Sequence, residues 1–413
     1  MGSIITESNQ GGGLHGRITV EMKQAFFDEV KGYLKSRGYK EEAGELQYRD
    51  LITLAGGTSF GGLSAIAMSG INGVNGGNPY FTEPRELGDF IDQEAGNIFP
   101  NRGFWEQLVK DPQRAFAGVI GKPRYSNKSL VRLVKGIVGE DSRMSDIQDD
   151  VMVTMTRFHP TVDTIFAKSH IARGEGSLLE APSEAGRKDW LIWEAAVGGA
   201  SATSYLPAMT LHNPNRAERF VVVDGGQSGW NNPSIPVHFE TTFVYGQSGC
   251  GPEGCMSFDF NDAGLLNGRV YVPHDVVHIH WGTGEFSKGL SYEEAMENTV
   301  YSTRKLVGTS AILGVNRFSQ AVGSSGVSSY FNFDVNIDSF DKAVRPDADF
   351  TNSSKKQLLL LRDVGLAAAD RLSRQIQSAA SLVANAYIER IKFERSAANQ
   401  TYKDFLKDSA PEV

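Results

Sequence analysis

The sequence predicts an α/β fold, with a mostly parallel central sheet flanked by helices and a helical region after it. Three observations lead there. Short apolar runs of strand length alternate with helix-period segments over roughly residues 4–340. Two early strands run into glycine-rich loops, at 11–13 and 56–62, each followed directly by a helix. That connection suits parallel strands joined by crossover helices. From about Lys355 to Ala397 the pattern is helical. With 413 residues, 40% of them hydrophobic, the chain can bury a large core.

The elements follow in order. A first strand is expected at 4–6, and Gly11-Gly12-Gly13 closes it. Val20, Phe26, Phe27, Val30, Tyr33 and Leu34 share one face of a helix over 19–36, with Gly38 as its stop. Residues 51–55 read as a buried strand, and 63–69 as a small-residue helix. Residues 71–125 carry loop signals and aromatics (Tyr80, Phe81, Phe90, Phe99, Phe104, Trp105) and read as an insertion or cap with short helices. Strands are expected at 151–156, 164–168, 219–223, 276–280 and 330–338, and a helix at 190–202. No Pro/Ser-rich linker divides the chain. One domain over 1–345, with its insertion at about 71–125, therefore carries a C-terminal helical extension over 346–413 packed on it.

Composition excludes several classes. A net charge of −8 gives no electrostatic footprint for nucleic acid, and 22% charged residues are too few for a disordered chain. The two cysteines, Cys250 and Cys255, exclude a disulfide scaffold, and their GCGPEGC loop supplies at most half a zinc site. No apolar run is long enough for a transmembrane helix, and the N-terminus lacks a secretory pattern, so a cytoplasmic protein is expected. MGSIIT partly fits a myristoylation pattern. Between 355 and 397 there are eight Lys/Arg against four Asp/Glu. That basic helical region suits packing on the domain first, and peripheral contact with an anionic membrane second.

Gly57-Thr58-Ser59-Phe60-Gly61 is a nucleophile-elbow pattern between a strand and a helix. Small residues on both sides let the backbone pinch, so that the hydroxyl stands exposed at a helix N-terminus. A serine hydroxyl needs a base. The order Ser59, Asp224, then His274, His278 or His280 would satisfy a Ser-His-Asp triad, but such a serine normally follows several strands and this one follows the first or second. His274-x-x-x-His278-x-His280 also suggests metal, although zinc would need a further ligand.

Taken together, these residues resemble the patatin-like phospholipases. The likeness rests on Gly11-Gly12-Gly13, then Gly57-x-Ser59-x-Gly61, then Asp224-Gly225-Gly226, in that order and spacing. Further echoes are Lys122-Pro123-x-Tyr125, the ASATSYLP segment from Ala200 to Pro207, Asn231-Asn232-Pro233 and Gly282-Thr283-Gly284. The resemblance implies a three-layer patatin-like fold and a Ser59–Asp224 dyad without histidine. It places an oxyanion hole at Gly11, Gly12 and Gly13, and the elbow glycines at Gly57 and Gly61. It also implies a phospholipid or lysophospholipid substrate, with no metal and no cofactor. Two positions depart from the family: Gln10 stands where Asp is usual before the triplet, and His15 where Arg or Lys is common after it. Three rival readings are a Ser-His-Asp esterase, an acyltransferase on the same serine, and a binding or storage protein with a decayed site.

Overall fold

The structure is a computed structural model that describes residues 3–100, 123–175, 188–203, 205–212, 219–245, 275–285 and 329–396. Lys122, Phe104, Trp105, Cys250, Cys255 and His274 lie outside the described residues. A central sheet of eight strands runs in the order β5-β6-β3-β2-β1-β7-β8, with β4 paired to β3. The strands are β1 (Ser3–Asn9), β2 (Leu54–Thr58), β3 (Asp150–His159), β4 (Asp163–Lys168), β5 (Met209–His212), β6 (Arg219–Asp224), β7 (Asp275–Trp281) and β8 (Ser329–Phe333). The core pairs, β1 with β2 and β7, β2 with β3 and β7 with β8, are parallel. The β4, β5 and β6 pairings are antiparallel.

The helices are α1 (Gly16–Ser36), α2 (Lys40–Glu45), α3 (Phe60–Ala67), α4 (Pro84–Ile98), α5 (Lys128–Val138), α6 (Ser169–Ala172), α7 (Ile192–Gly199), α8 (Ser234–Tyr245), α9 (Lys355–Arg371) and α10 (Ser373–Ser396). Helix α1 lies against the sheet because Ile18, Met22, Phe26 and Val30, four residues apart, are all buried on one stripe. The C-terminal helices pack against α1, and α10 also reaches β1 and β7. Gly365 of α9 approaches so closely that a Cβ there would sit 2.9 Å from the Ile18 carbonyl oxygen. On the other face of the sheet, Val237 of α8 packs on Leu54 and Met152. Three layers result.

Some boundaries differ from the expectations. The strand expected at 51–55 runs instead from Leu54 to Thr58, after a 3-10 turn over Tyr48–Leu51. The sheet continues through the glycines because Gly56 faces Val237 with no room for a side chain: a Cβ would lie 2.1 Å from Cγ2. The helix expected at 63–69 starts earlier, at Phe60, directly after the serine. The strand expected at 330–338 stops at Phe333, and a 3-10 turn over Ile337–Ser339 follows. Within 71–125, α4 buries Leu87, Ile91 and Ala95 in the main core.

A buried charged cluster ties the first layer to the sheet. Glu7 of β1 accepts from Lys23 Nζ at 2.8 Å, Asn9 Nδ2 at 2.7 Å and Trp281 Nε1 at 3.1 Å, and also from the Tyr48 hydroxyl. Burial pushes the Lys23 ammonium below its ordinary pKa, and the Glu7 charge opposes that shift. Replacing Lys23 with methionine would leave the Glu7 carboxylate buried without its cation. The expected loss is about 3–5 kcal/mol of unfolding free energy, measured by urea titration. A loss under about 1 kcal/mol would show that the pair is neutral to stability.

Candidate active site

Ser59 follows the last residue of β2 and caps α3 with φ 55° and ψ −124°. A non-glycine residue at positive φ is strained by about 1–3 kcal/mol, and the surroundings must hold it there. They do so by contact. A Cβ at Gly57 would lie 2.2 Å from the Gly61 carbonyl carbon, and one at Gly61 would lie 2.2 Å from the Asn9 carbonyl oxygen. Both elbow glycines are therefore required by packing. The Ser59 amide donates to the Gly199 carbonyl at 3.1 Å, which fixes the turn from the α7 side.

The register of β3 brings Asp224 to the serine. Parallel β2 ends with Thr58 opposite Thr154, and antiparallel β6 ends with Asp224 opposite Met155. Two strands running in opposite senses thus finish at adjacent positions on one ruler strand. Threonines on that strand fasten both ends. Thr154 is hydrogen-bonded to the Thr58 hydroxyl, and Thr156 Oγ1 donates to the Asp224 carbonyl at 3.0 Å. The Asp224 amide donates to the Ser201 carbonyl at 3.1 Å, so the end of α7 holds the serine and the residues just after it hold the acid.

The Asp224 carboxylate is buried, and the neighbouring Ser59 side chain favours its charged form. Its Oδ1 also accepts the Gly226 amide at 2.8 Å. Burial pushes its pKa up to about 6, against the pull of the Ser59 side chain and the Gly226 hydrogen bond. It is ionised at neutral pH, and a far better proton acceptor than an ordinary aspartate.

The glycine loop lies beside this pair. A Cβ at Gly11 would be 2.9 Å from Ser59 Cβ, and Gly13 and Ser59 line the same cavity. The three amides are not equivalent. The Gly11 N–H donates to the Asn231 carbonyl at 3.1 Å, and the Leu14 N–H to the Phe350 carbonyl at 2.9 Å. Among the described residues, no acceptor takes the Gly12 or Gly13 N–H. Gly13 has φ +53° and rests on Phe350, where a Cβ would come within 2.7 Å of the ring.

The two departures have structural partners. Gln10 donates its amide to the Trp281 carbonyl at 3.0 Å, and its Oε1 lies 3.4 Å from His280 Nε2. His15 donates from Nε2 to the Asp347 carbonyl at 2.9 Å, so its ring is spent on the loop before α9.

Of the histidine alternatives, His278 and His280 make their contacts away from the serine, and His274 lies outside the described residues. His278 and His280 are fully buried on β7. His278 contacts Thr6 Oγ1 at 2.8 Å and Ser8 Oγ at 2.9 Å, and His280 contacts Ser8 Oγ at 3.0 Å. These partners lie on β1, with Ser234 of α8 beyond them, so both rings face the layer opposite α1. Burial depresses the pKa of each, His280 to about 3. Among the described residues no group of three or more His, Cys, Asp and Glu is placed to hold a metal ion.

A cavity of about 120 Å³ opens from Ser59 and Gly13. Its walls are Phe60 and Leu63 of α3, Phe90 and Ile91 of α4, and Leu130 and Val134 of α5, with Glu94 the one charged group among the described lining residues. Helix α5 supplies its wall because Leu130, Val134 and Val138, again four apart, point inward. No helix among the described residues is long and apolar enough to cross a membrane.

Sequence reasoning missed the clamping residues Thr154, Thr156 and Phe350. The Val-Thr-Met-Thr alternation on β3 puts two hydroxyls on one face and was the available signal for the threonines. Nothing local marks Phe350.

The mostly parallel three-layer sheet, with a serine elbow and an acid meeting on it, defines an α/β protein with a candidate Ser–Asp site. No family model matches the chain. A cGAMP-activated phospholipase of Vibrio cholerae serotype O1 (strain ATCC 39315 / El Tor Inaba N16961) is 28% identical over 166 residues. That is 40% of this chain and 41% of the relative, so the likeness is distant and spans about two fifths of the relative's length.

Proposed function

We propose that the protein is a lipid acyl hydrolase of phospholipase A or lysophospholipase type, acting through a Ser59–Asp224 dyad. The observation that carries this reading is the strained Ser59 beside a buried Asp224 at the mouth of an apolar cavity. The phospholipase relative supports the substrate class.

In this reading the acyl chain lies in the cavity, and the ester carbonyl oxygen meets the Gly12 and Gly13 amides. Ser59 Oγ attacks the carbonyl carbon while its proton passes to Asp224. The tetrahedral oxyanion is held by the loop amides, each worth about 3 kcal/mol of barrier. Collapse expels the alcohol, which leaves with the proton from Asp224. Water then gives a proton to the same carboxylate and attacks the acyl-enzyme. Free fatty acid and Ser59 are regenerated, and the dyad chemistry draws on no metal and no cofactor. Peripheral contact with a lipid surface would bring substrate to the cavity.

The test is fluorophosphonate labelling with peptide mapping, beside fatty-acid release from phospholipid vesicles. Because the relative is named for activation by cGAMP, both are run with and without that nucleotide. An adduct on Ser59 and release of fatty acid support the reading. No adduct and no release under either condition would overturn it.

A further inference from the structure

The Gly282-Thr283-Gly284 turn ends β7, and β7 pairs in parallel with β1 through Asn9 opposite Trp281. The turn and the glycine loop therefore leave the sheet side by side. Thr283 is buried, and its hydroxyl donates to the Gly11 carbonyl at 3.3 Å. Its side chain also fills the space beside Gly12, where a Cβ would come within 2.3 Å of Oγ1.

The Gly11 carbonyl and the Gly12 N–H belong to one planar trans peptide, so they point in opposite directions. A hydrogen bond that holds the carbonyl therefore aims the N–H. The next peptide is held likewise, since the Gly12 carbonyl accepts the His15 amide at 3.0 Å. That second bond closes a helical turn and is local. The first depends on a side chain brought from β7, across the sheet.

The turn that carries Thr283 is itself fixed. The Gly282 carbonyl accepts the Thr19 hydroxyl at 2.6 Å, and the Gly282 amide donates to the Phe333 carbonyl at 2.8 Å. The Gly284 amide donates to Asp334 Oδ1 at 3.0 Å. Burial raises the pKa of the Glu285 and Asp334 carboxyls beside this turn.

We propose that Thr283 is a positioning residue that orients the Gly11–Gly12 peptide, so that the Gly12 N–H is presented to the oxyanion. The proposal rests on the hydrolase reading above. A glycine loop alone has many peptide orientations of similar energy. Thr283 selects one of them before substrate arrives.

The test compares Thr283→Val, which keeps shape and loses the hydroxyl, with Thr283→Ser, which keeps the hydroxyl. The substrate is a short-chain p-nitrophenyl ester, and a trifluoromethyl ketone serves as the tetrahedral analogue. Thr283→Val is expected to lower kcat at least tenfold with KM within about twofold, and to weaken the ketone in proportion to kcat/KM. Thr283→Ser is expected to stay within about threefold of wild type. If Thr283→Val does not fold, Thr283→Ala removes the same hydroxyl with less crowding against Gly12. Wild-type kcat and ketone affinity in the valine or alanine variant would overturn the proposal, as would an equal loss in Thr283→Ser. Either result would leave the dyad intact in an active wild type. Wild-type protein with neither hydrolysis nor Ser59 labelling overturns the hydrolase reading and the proposal with it.

Discussion

Ser59→Ala is expected to abolish ester hydrolysis, by at least about 10⁴-fold in kcat, and to remove fluorophosphonate labelling. The size follows from the nucleophile's place: without Oγ no acyl-enzyme forms, and only the loop amides and the cavity remain. The elbow adds a second readout. Ser59 holds φ 55°, and alanine inherits the strain. Ser59→Gly does not, so it should be equally inactive yet more stable than Ser59→Ala by about 1–2 kcal/mol in urea titration. Residual activity in Ser59→Ala above a few per cent would move the nucleophile elsewhere. Equal stability of the two variants would show that the turn stores no strain.

Asp224→Asn should cut kcat by about 10³–10⁴-fold, because the amide accepts no proton. The wild-type kcat/KM should fall about tenfold per pH unit below pH 6, since burial pushes Asp224 up to about 6 and only its ionised form is a base. Stability carries the opposite sign. The unfolded chain releases this proton near pH 3.9 and the folded chain near 6, so ionisation costs the folded state. The favourable contribution of the neutral form is full below pH 4 and is lost as pH rises to 6. Asp224→Asn should therefore stabilise the protein by about 3 kcal/mol at pH 8 and by little at pH 4. A pH-independent wild-type rate between 5 and 8, with no stability gain in the variant, would remove Asp224 from the base role.

The candidate site was legible where its geometry depends on local sequence. The Gly57-x-Ser59-x-Gly61 elbow is local because both glycines answer to backbone within a few ångströms. The glycine triplet was legible too, but not the unequal use of its amides, because Asn231 takes the Gly11 N–H from more than two hundred residues away. His278 and His280 alternate on a strand as a metal or triad pair would, and only the fold turned them toward Ser8 and α8. That α4 shares the main core was not legible, because an amphipathic helix looks the same whether it covers a domain or joins it.

Residue order alone determined the α/β class, the serine turn, the helical C-terminal region and the absence of a large charge bias, since each depends on short-range periodicity, turn chemistry or composition. The tertiary structure decided the rest. It ran β6 antiparallel, so that Asp224 ends one position beyond Thr58 along β3. It set Phe350, Asn231 and Thr283 around the glycine loop, and it joined α3, α4 and α5 into one apolar cavity. These are contacts between segments far apart in the chain. Strand direction and register set them, and a local pattern carries no record of either.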